Sequence, residues 1–239
     1  AHFRAAQVRR SGSGAGAHRS DDWLERALAA RAAGGSSVAA GGSPDAANRA
    51  VMTADTRRSG APRAETLRSA RERPTVPSFT GRFSEAAGRA AEAVIANGGA
   101  GAMRLTLPGF DTHCRQVIRH AAALTELAGG ITILRQRLQQ AGRWNDVVIM
   151  TTTEFGRAAA ENAHGGTEHG GAGPQFLLGG RVQGGFHGVR PRLDAQGGAV
   201  APGVDHRRVL AAVLASWWEV VPAAVLDDAP AALPGLFRV

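Results

Sequence analysis

Two apolar runs bracket a polar, glycine-rich loop in residues 146–180, DVVIMTTTEFGRAAAENAHGGTEHGGAGPQFLLGG. This stretch gives the clearest indication of the fold. Residues 147–150 form a continuous apolar run with β-branched side chains, too short for an ordinary helix, which predicts a strand buried on both faces. Residues 174–178, bounded by glycines, predict a second buried strand. Ligands of open α/β sheets bind beyond the carboxyl ends of the strands. Glu154 stands where the first run ends, so we expect a functional site there.

The loop between the two runs carries acidic and histidine side chains among its glycines. Glycine lets the backbone adopt positive φ angles and approach a ligand closely, which would suit a site around His169. The same composition is typical of a solvated, flexible loop without a ligand. The residues alone therefore leave both interpretations open.

The chain before this stretch alternates between helical and extended patterns. Apolar residues recur at helical spacing over residues 83–97, and residues 103–107 predict a strand. An apolar stripe from Val117 to Leu138 predicts a long helix that Gly129-Gly130 interrupts. Helix, strand, helix and strand joined by short turns are typical of a parallel sheet. We therefore predict an α/β fold with a mostly parallel sheet and helices on both faces.

The two ends of the chain differ in apolar content. Asp205 predicts the start of a last helix, with Trp217 and Trp218 in the core. Asp22 predicts the cap of a short helix over residues 23–31. Residues 32–77 are rich in Gly, Ala, Ser and Arg, and we expect them to be irregular. The predicted organisation is an irregular N-terminal region, 1–82, in the same domain as an α/β core, 83–239.

Composition excludes several classes of protein. The net charge of +8 and pI near 11.4 come from arginine alone, because the chain has no lysine. The arginines scatter without aromatic residues between them, which argues against nucleic-acid binding. No run approaches the ~20 apolar residues of a membrane span. The single cysteine, Cys114, excludes an internal disulfide. A small buried thiol at a helix start and a nucleophile are both compatible with it, and the first is the commoner.

Four residues have the chemistry and the placement of metal ligands. Asp111 and His113 stand at i and i+2 after a strand end, so their side chains point to the same side of an extended backbone. Glu154 and His169 follow the neighbouring strand. Carboxylate and imidazole donors suit zinc, manganese or iron, and Arg157 could hold the oxygens of an anionic substrate. A lone Asp or His in such a place is more often a turn residue or a satisfied hydrogen-bonding group than a metal ligand.

Several segments, in order along the chain, resemble the motifs of a bacterial family known as domain-of-unknown-function family 1501. The main ones are GFDTH (109–113), TEFGR (153–157), NAHGGTEHG (162–170), PQFLLGG (174–180) and QGGFHG (183–188). AHFRAAQ (1–7), DDWLERAL (21–28) and VDHRRVLAAVLASWW (204–218) resemble flanking stretches of the family. The resemblance therefore extends over nearly the whole chain.

That family is grouped with the alkaline phosphatase and sulfatase fold, an α/β sheet with a metal centre at its carboxyl edge. The resemblance implies that Asp111 and His113 form an early ligand pair. It gives Glu154 a place in or beside the metal shell and His169 the place of the loop histidine. It also implies an anionic phosphate or sulfate ester as substrate and a periplasmic or extracytoplasmic location.

The chain departs from the family pattern at three points. Glu168 stands where the family usually has aspartate, and His206 where it usually has an aromatic residue. Members begin with a strand and a GGADG-type segment that supplies a further metal-binding aspartate, whereas this chain begins after it. We therefore expect an N-terminally truncated, inactive version of a sulfatase-like hydrolase, with a sheet incomplete at the N-terminus. The alternative is a non-catalytic exported protein that uses the same fold for binding or assembly.

Overall fold

A computed structural model of the protein describes residues 22–34, 50–55, 78–79, 82–97, 101–191, 193 and 200–238. These residues form an α/β domain. Its helices are α1 (Asp22–Gly34), α2 (Phe83–Asn97), α3 (Gln116–Gln140) and α4 (His206–Ala212). Its strands are β1 (Ala50–Asp55), β2 (Ser78–Phe79), β3 (Ala102–Thr106), β4 (Val147–Thr152), β5 (Gly156–Glu161), β6 (Thr167–Gly170) and β7 (Leu177–Leu178). The predicted mixture of helices and strands is confirmed, whereas the alkaline phosphatase and sulfatase fold stays a prediction.

Five strands form the main sheet in the order β2-β3-β1-β4-β7. The pairings of β1 with β3 and β4, and of β2 with β3, are parallel. Strand β7 pairs antiparallel to β4, and β5 and β6 form a separate antiparallel hairpin. The segment predicted as a glycine-rich loop is thus largely this hairpin. The buried strand predicted over 174–178 is wrong in extent, because only the half-buried residues 177–178 pair.

Strand β4 divides the core into two halves by its alternation. Val148 and Met150 pack with α1, α4 and the tryptophans at 217 and 218, whereas Val147 and Ile149 pack with α2 and α3. Side chains alternate between the faces of a strand, so a continuous apolar run needs helices on both faces. The interpretation of residues 147–150 as a strand buried on both sides is confirmed.

The N-terminal third contributes more than was expected. Helix α1 lies where a short helix was predicted, and its Trp23, Leu24 and Ala27 belong to the same core as β4. Strand β1 lies at the centre of the sheet, between β3 and β4. The prediction of irregular structure over 32–77 is therefore wrong for these six residues and for residues 32–34, which form the end of α1. The other residues of the segment lie outside the described ranges.

Helix α3 runs without interruption through Gly129 and Gly130, contrary to the predicted break. A Cβ built on Gly130 would stand 2.3 Å from a ring carbon of Phe83, so the missing side chain lets α2 and α3 pack closely. Packing here outweighs the low helix propensity of glycine. Val117, placed on the apolar stripe by its spacing, is 83% exposed. Cys114, just before the helix, is exposed rather than buried.

The length and composition of α3 alone would allow it to cross a membrane. Its most apolar window has a mean hydropathy of 1.3, and 22% of that window is buried. The buried residues face α2 and the sheet, as expected of an amphipathic core helix, and they include Leu127, Leu134 and Leu138. The absence of a membrane span stays a prediction.

Candidate metal centre

The loop that follows β3 carries two of the predicted ligands. It begins after Thr106 at the carboxyl edge of the sheet, and Thr112, fully buried, anchors it. Phe110 is also buried, so the alternation of the loop leaves Asp111 and His113 partly open to solvent. Their side chains are 49% and 42% exposed. The inference that these two residues point to the same side is confirmed by the 3.0 Å between Asp111 Oδ1 and His113 Nε2.

The third predicted ligand, His169, comes from β6 of the hairpin. Its Nε2 lies 2.9 Å from Asp111 Oδ1 and 3.0 Å from His113 Nε2. The ring of Phe155 stacks on the imidazole at 3.8 Å between centroids, with an interplanar angle of 9°. The centroid of the His113 ring lies 4.7 Å from that of His169, with an interplanar angle of 35°. His169 therefore contacts two rings, and its Nε2 lies at the cluster.

The three donor atoms form a nearly equilateral triangle with sides of 2.9, 3.0 and 3.0 Å. Ligand atoms about 2.1 Å from one ion and at right angles to each other stand about 3.0 Å apart. No placement of hydrogens on the two Nε2 atoms satisfies all three close pairs, because each nitrogen carries at most one hydrogen. One cation facing the triangle would satisfy all three. Within the described ranges, these residues could hold a metal ion.

Glu154 is not brought into this triangle. It lies half-buried two residues beyond the end of β4, and the group of possible ligands among the described residues does not include it. The expectation that ligands follow the ends of strands correctly located the loop after β3. The same expectation for Glu154, after β4, has no support from the group of three donor atoms. The assignment of Glu154 as a ligand stays a prediction.

Arg157 is a largely buried neighbour of the triangle. Its side chain is 9% exposed, and NH2 stands 3.6 Å from Asp111 Oδ1. Burial lowers the pKa of its guanidinium. The guanidinium also lies 5.1 Å from the centroid of the Phe155 ring. This placement gives no support to the predicted contact with a substrate anion.

Glu168 flanks the site, although sequence reasoning assigned it no role there. Its Oε2 lies 3.4 Å from His113 Nδ1, the ring nitrogen that faces away from the triangle. A carboxylate at the second nitrogen of a metal-binding histidine fixes the tautomer and the orientation of the ring. The side-chain hydrogen bond from Asn162 is the main reason why the pKa of Glu168 is lowered. The sequence did contain a signal that separates Glu168 from the metal ligands: it is adjacent to His169, and adjacent side chains of a strand point to opposite faces.

The acidity of Asp111 reflects the same arrangement. The hydrogen bond from His169 is the main cause that lowers the pKa of Asp111, and the charges of His113, His169 and Arg157 add to it. Partial burial acts in the opposite direction. The carboxylate is therefore deprotonated at neutral pH, as metal ligation requires.

Comparison with known proteins adds a family but no activity. No curated protein matches the chain. The model of the family described as "Protein of unknown function (DUF1501)" matches residues 15–229. That match covers most of the chain, including both segments that carry the triangle. The chain belongs to the DUF1501 family.

Proposed function

We propose that Asp111, His113 and His169 bind a divalent transition metal ion and that the protein is a metal-dependent hydrolase of phosphate or sulfate esters. The supporting observation is the triangle of three donor atoms about 3 Å apart. Two imidazoles and one carboxylate suit zinc, manganese or iron. The resemblance to the alkaline phosphatase and sulfatase fold is the basis for the substrate class, and it is part of the proposal.

The chain's own residues would prepare the site in three ways. Glu168 orients His113 through Nδ1, and Phe155 fixes the plane of His169 by stacking. The partly exposed side of the triangle leaves room for an ester to approach. The net charge of +8 favours the encounter with an anionic substrate. A bound divalent ion would supply Lewis-acid activation of the ester or of the attacking group.

Metal binding is tested by titrating the metal-free protein with Zn²⁺, Mn²⁺ and Fe²⁺ in a calorimeter. We expect His169→Ala to weaken binding at least ~10-fold, because loss of a ligand exceeds the loss of a residue that only supports one. The matched control is His164→Ala, since His164 is exposed in the turn of the same hairpin and lies outside the triangle. Equal loss in both variants, or no binding by the unchanged protein, would refute the proposed site.

Hydrolysis is tested separately with p-nitrophenyl phosphate and p-nitrophenyl sulfate. The assay compares this chain with a family member that carries the GGADG-type segment, each loaded with the metal that binds best. Release of nitrophenol that His169→Ala abolishes would support the hydrolase. Metal binding without hydrolysis of either ester by either protein would support the non-catalytic alternative. Cell fractionation of the native host tests the proposed periplasmic or extracytoplasmic location.

A further inference from the structure

The three donor atoms come from two separate pieces of chain. Asp111 and His113 belong to the loop after β3, whereas His169 belongs to the hairpin β5–β6, which is not part of the main sheet. No strand pairing holds the hairpin to that loop in the described residues. Two backbone hydrogen bonds join the hairpin turn to the residues that follow the loop, from Arg115 N to His164 O at 3.1 Å and from Gln116 N to Gly165 O at 2.7 Å. Side-chain contacts closer to the ligands add to these two bonds.

Arg157 provides one link between them. Its NH1 donates to Thr167 O at 2.6 Å, within the hairpin, and its NH2 donates to Phe110 O at 2.6 Å, in the loop. NH2 also lies 3.4 Å from the hydroxyl of Thr112. Each carbonyl is within two residues of a ligand. A planar guanidinium with several fixed donors is suited to joining two carbonyls in this way.

Asn162 provides a second, independent link. Its Nδ2 donates to His113 O at 3.0 Å and to Glu168 Oε1 at 2.8 Å. Its Oδ1 accepts from the backbone N–H groups of His164 and Gly166, both at 3.0 Å, which shapes the hairpin turn. One amide side chain thus organises the turn and ties it to the backbone of a ligand.

We infer that Arg157 and Asn162 are positioning residues that hold the hairpin against the loop and so set the separation of His169 from Asp111 and His113. For Arg157 this role is distinct from the anion contact expected from the sequence, and it rests on the bonds that both terminal nitrogens of its guanidinium donate to carbonyls. The identity of the ligand as a metal ion rests on the proposed function. The positioning itself is a property of the metal-free protein.

Two conservative variants separate positioning from charge and from folding of the turn. Arg157→Lys keeps a positive charge near Asp111, but one ammonium group cannot span Phe110 O and Thr167 O as the guanidinium does. The matched control is Arg143→Lys, which changes a partly buried arginine that donates to Asp146 at the far end of α3.

The second variant, Asn162→Asp, keeps the oxygen that accepts from the turn amides, removes the donor to His113 O and to Glu168 Oε1, and places a carboxylate beside Glu168. If the turn alone holds the hairpin against the loop, Asn162→Asp should leave the position of the hairpin unchanged. If the bond from Asn162 Nδ2 to His113 O is also required, the variant should move the hairpin away from the loop.

Two measurements are made on each variant. The first is affinity for Co²⁺ together with its visible absorption, which reports ligand geometry. The second is the set of nuclear Overhauser contacts between the rings of His113 and His169, 4.7 Å apart, in metal-free protein. Contacts between Phe83 and Gly130 in the α2–α3 core serve as an internal reference for folding.

We expect both variants to lose the ring-to-ring contacts, to keep the core contacts, and to bind Co²⁺ at least ~10-fold more weakly with an altered spectrum. Arg143→Lys should match the unchanged protein. Ring contacts retained in both variants would overturn the inference. If the unchanged protein binds no Co²⁺, the proposed function fails, and the ring contacts alone still decide whether these residues position the hairpin.

Discussion

Replacing Gly166 with alanine should separate the hairpin from the loop that carries the metal ligands. A Cβ built on Gly166 would stand 2.2 Å from His113 C, 2.3 Å from His113 O and 2.7 Å from Cys114 N, whereas ordinary contacts begin at 3.4 Å. These neighbours are backbone atoms, so the two segments must move apart by about an ångström. Such a movement would break the bonds from Gln116 N to Gly165 O, now 2.7 Å, and from Asn162 Nδ2 to His113 O, now 3.0 Å.

We expect the unfolding free energy to fall by about 1–3 kcal/mol, from overpacking and the loss of about two hydrogen bonds. Metal affinity should fall ~10-fold or more. The matched control is Gly171→Ala, because a Cβ there meets nothing within 4 Å and the change should stay within about 0.5 kcal/mol. Urea unfolding and metal titration measure both quantities. Gly166→Ala equal to Gly171→Ala in stability and affinity would refute the packing argument.

Three other predictions concern single contacts. The hydrogen bond from His169 is the main cause that lowers the pKa of Asp111 in the folded protein. A carboxyl group whose pKa is lowered by folding stabilises the protein at pH values above its unfolded pKa of about 4, and this stabilisation is lost as the pH falls through the folded pKa. In metal-free protein the stability gap between wild type and Asp111→Asn should therefore close as the pH falls below about 4; a gap that widens in acid contradicts this. In α3, Gly129→Ala should stabilise the protein by up to about 1 kcal/mol in urea unfolding, because alanine favours a helix more than glycine does. Gly130→Ala should be about 1–3 kcal/mol less stable than Gly129→Ala, because only the added methyl group at 130 would clash with the Phe83 ring. Equal stabilities of the two variants would contradict this. Glu168→Gln should weaken metal binding ~10-fold in calorimetry without lowering the melting temperature, and unchanged affinity would remove its orienting role.

Local patterns predicted the elements whose sequence signals do not depend on distant partners. The apolar run at 147–150 identified β4, and the helical spacing from Phe83 identified α2 with both of its ends. Asp205 was identified as a helix cap, and its Oδ1 accepts from Arg207 N. These signals lie within a few residues of the features that they specify.

The errors arose where contacts distant in sequence outweigh local preference. Gly130 sits inside a helix because of Phe83, 47 positions earlier in the chain. Residues 158–160 of β5 are alanines with weak strand preference, and the register between β5 and β6 shifts across them. Strand β1 likewise owes its place to β3 and β4 on either side. Periodicity within one segment carries no record of such partners.

The site was partly predictable for a related reason. Alternation in extended backbone placed Asp111 and His113 together. Both Glu168 and His169 contact His113, through different ring nitrogens. The stacking of Phe155 on His169 was not predicted, because it depends on the fold of the hairpin. Asn162, with Gly165 and Gly166 a few residues later, is typical of a turn. This pattern was a signal for the hairpin that the sequence interpretation did not use.

The ligands that meet in space stand 56 and 58 positions apart along the chain. Between them lie the whole of α3 and β4, so a synthetic peptide covering GFDTH or GTEHG alone contains only part of the triangle. Closing a loop of that length has an entropic cost that must be met before the three donors converge. An ion would therefore recognise the chain only after the α/β core has assembled, and it would slow unfolding far more than it would speed folding.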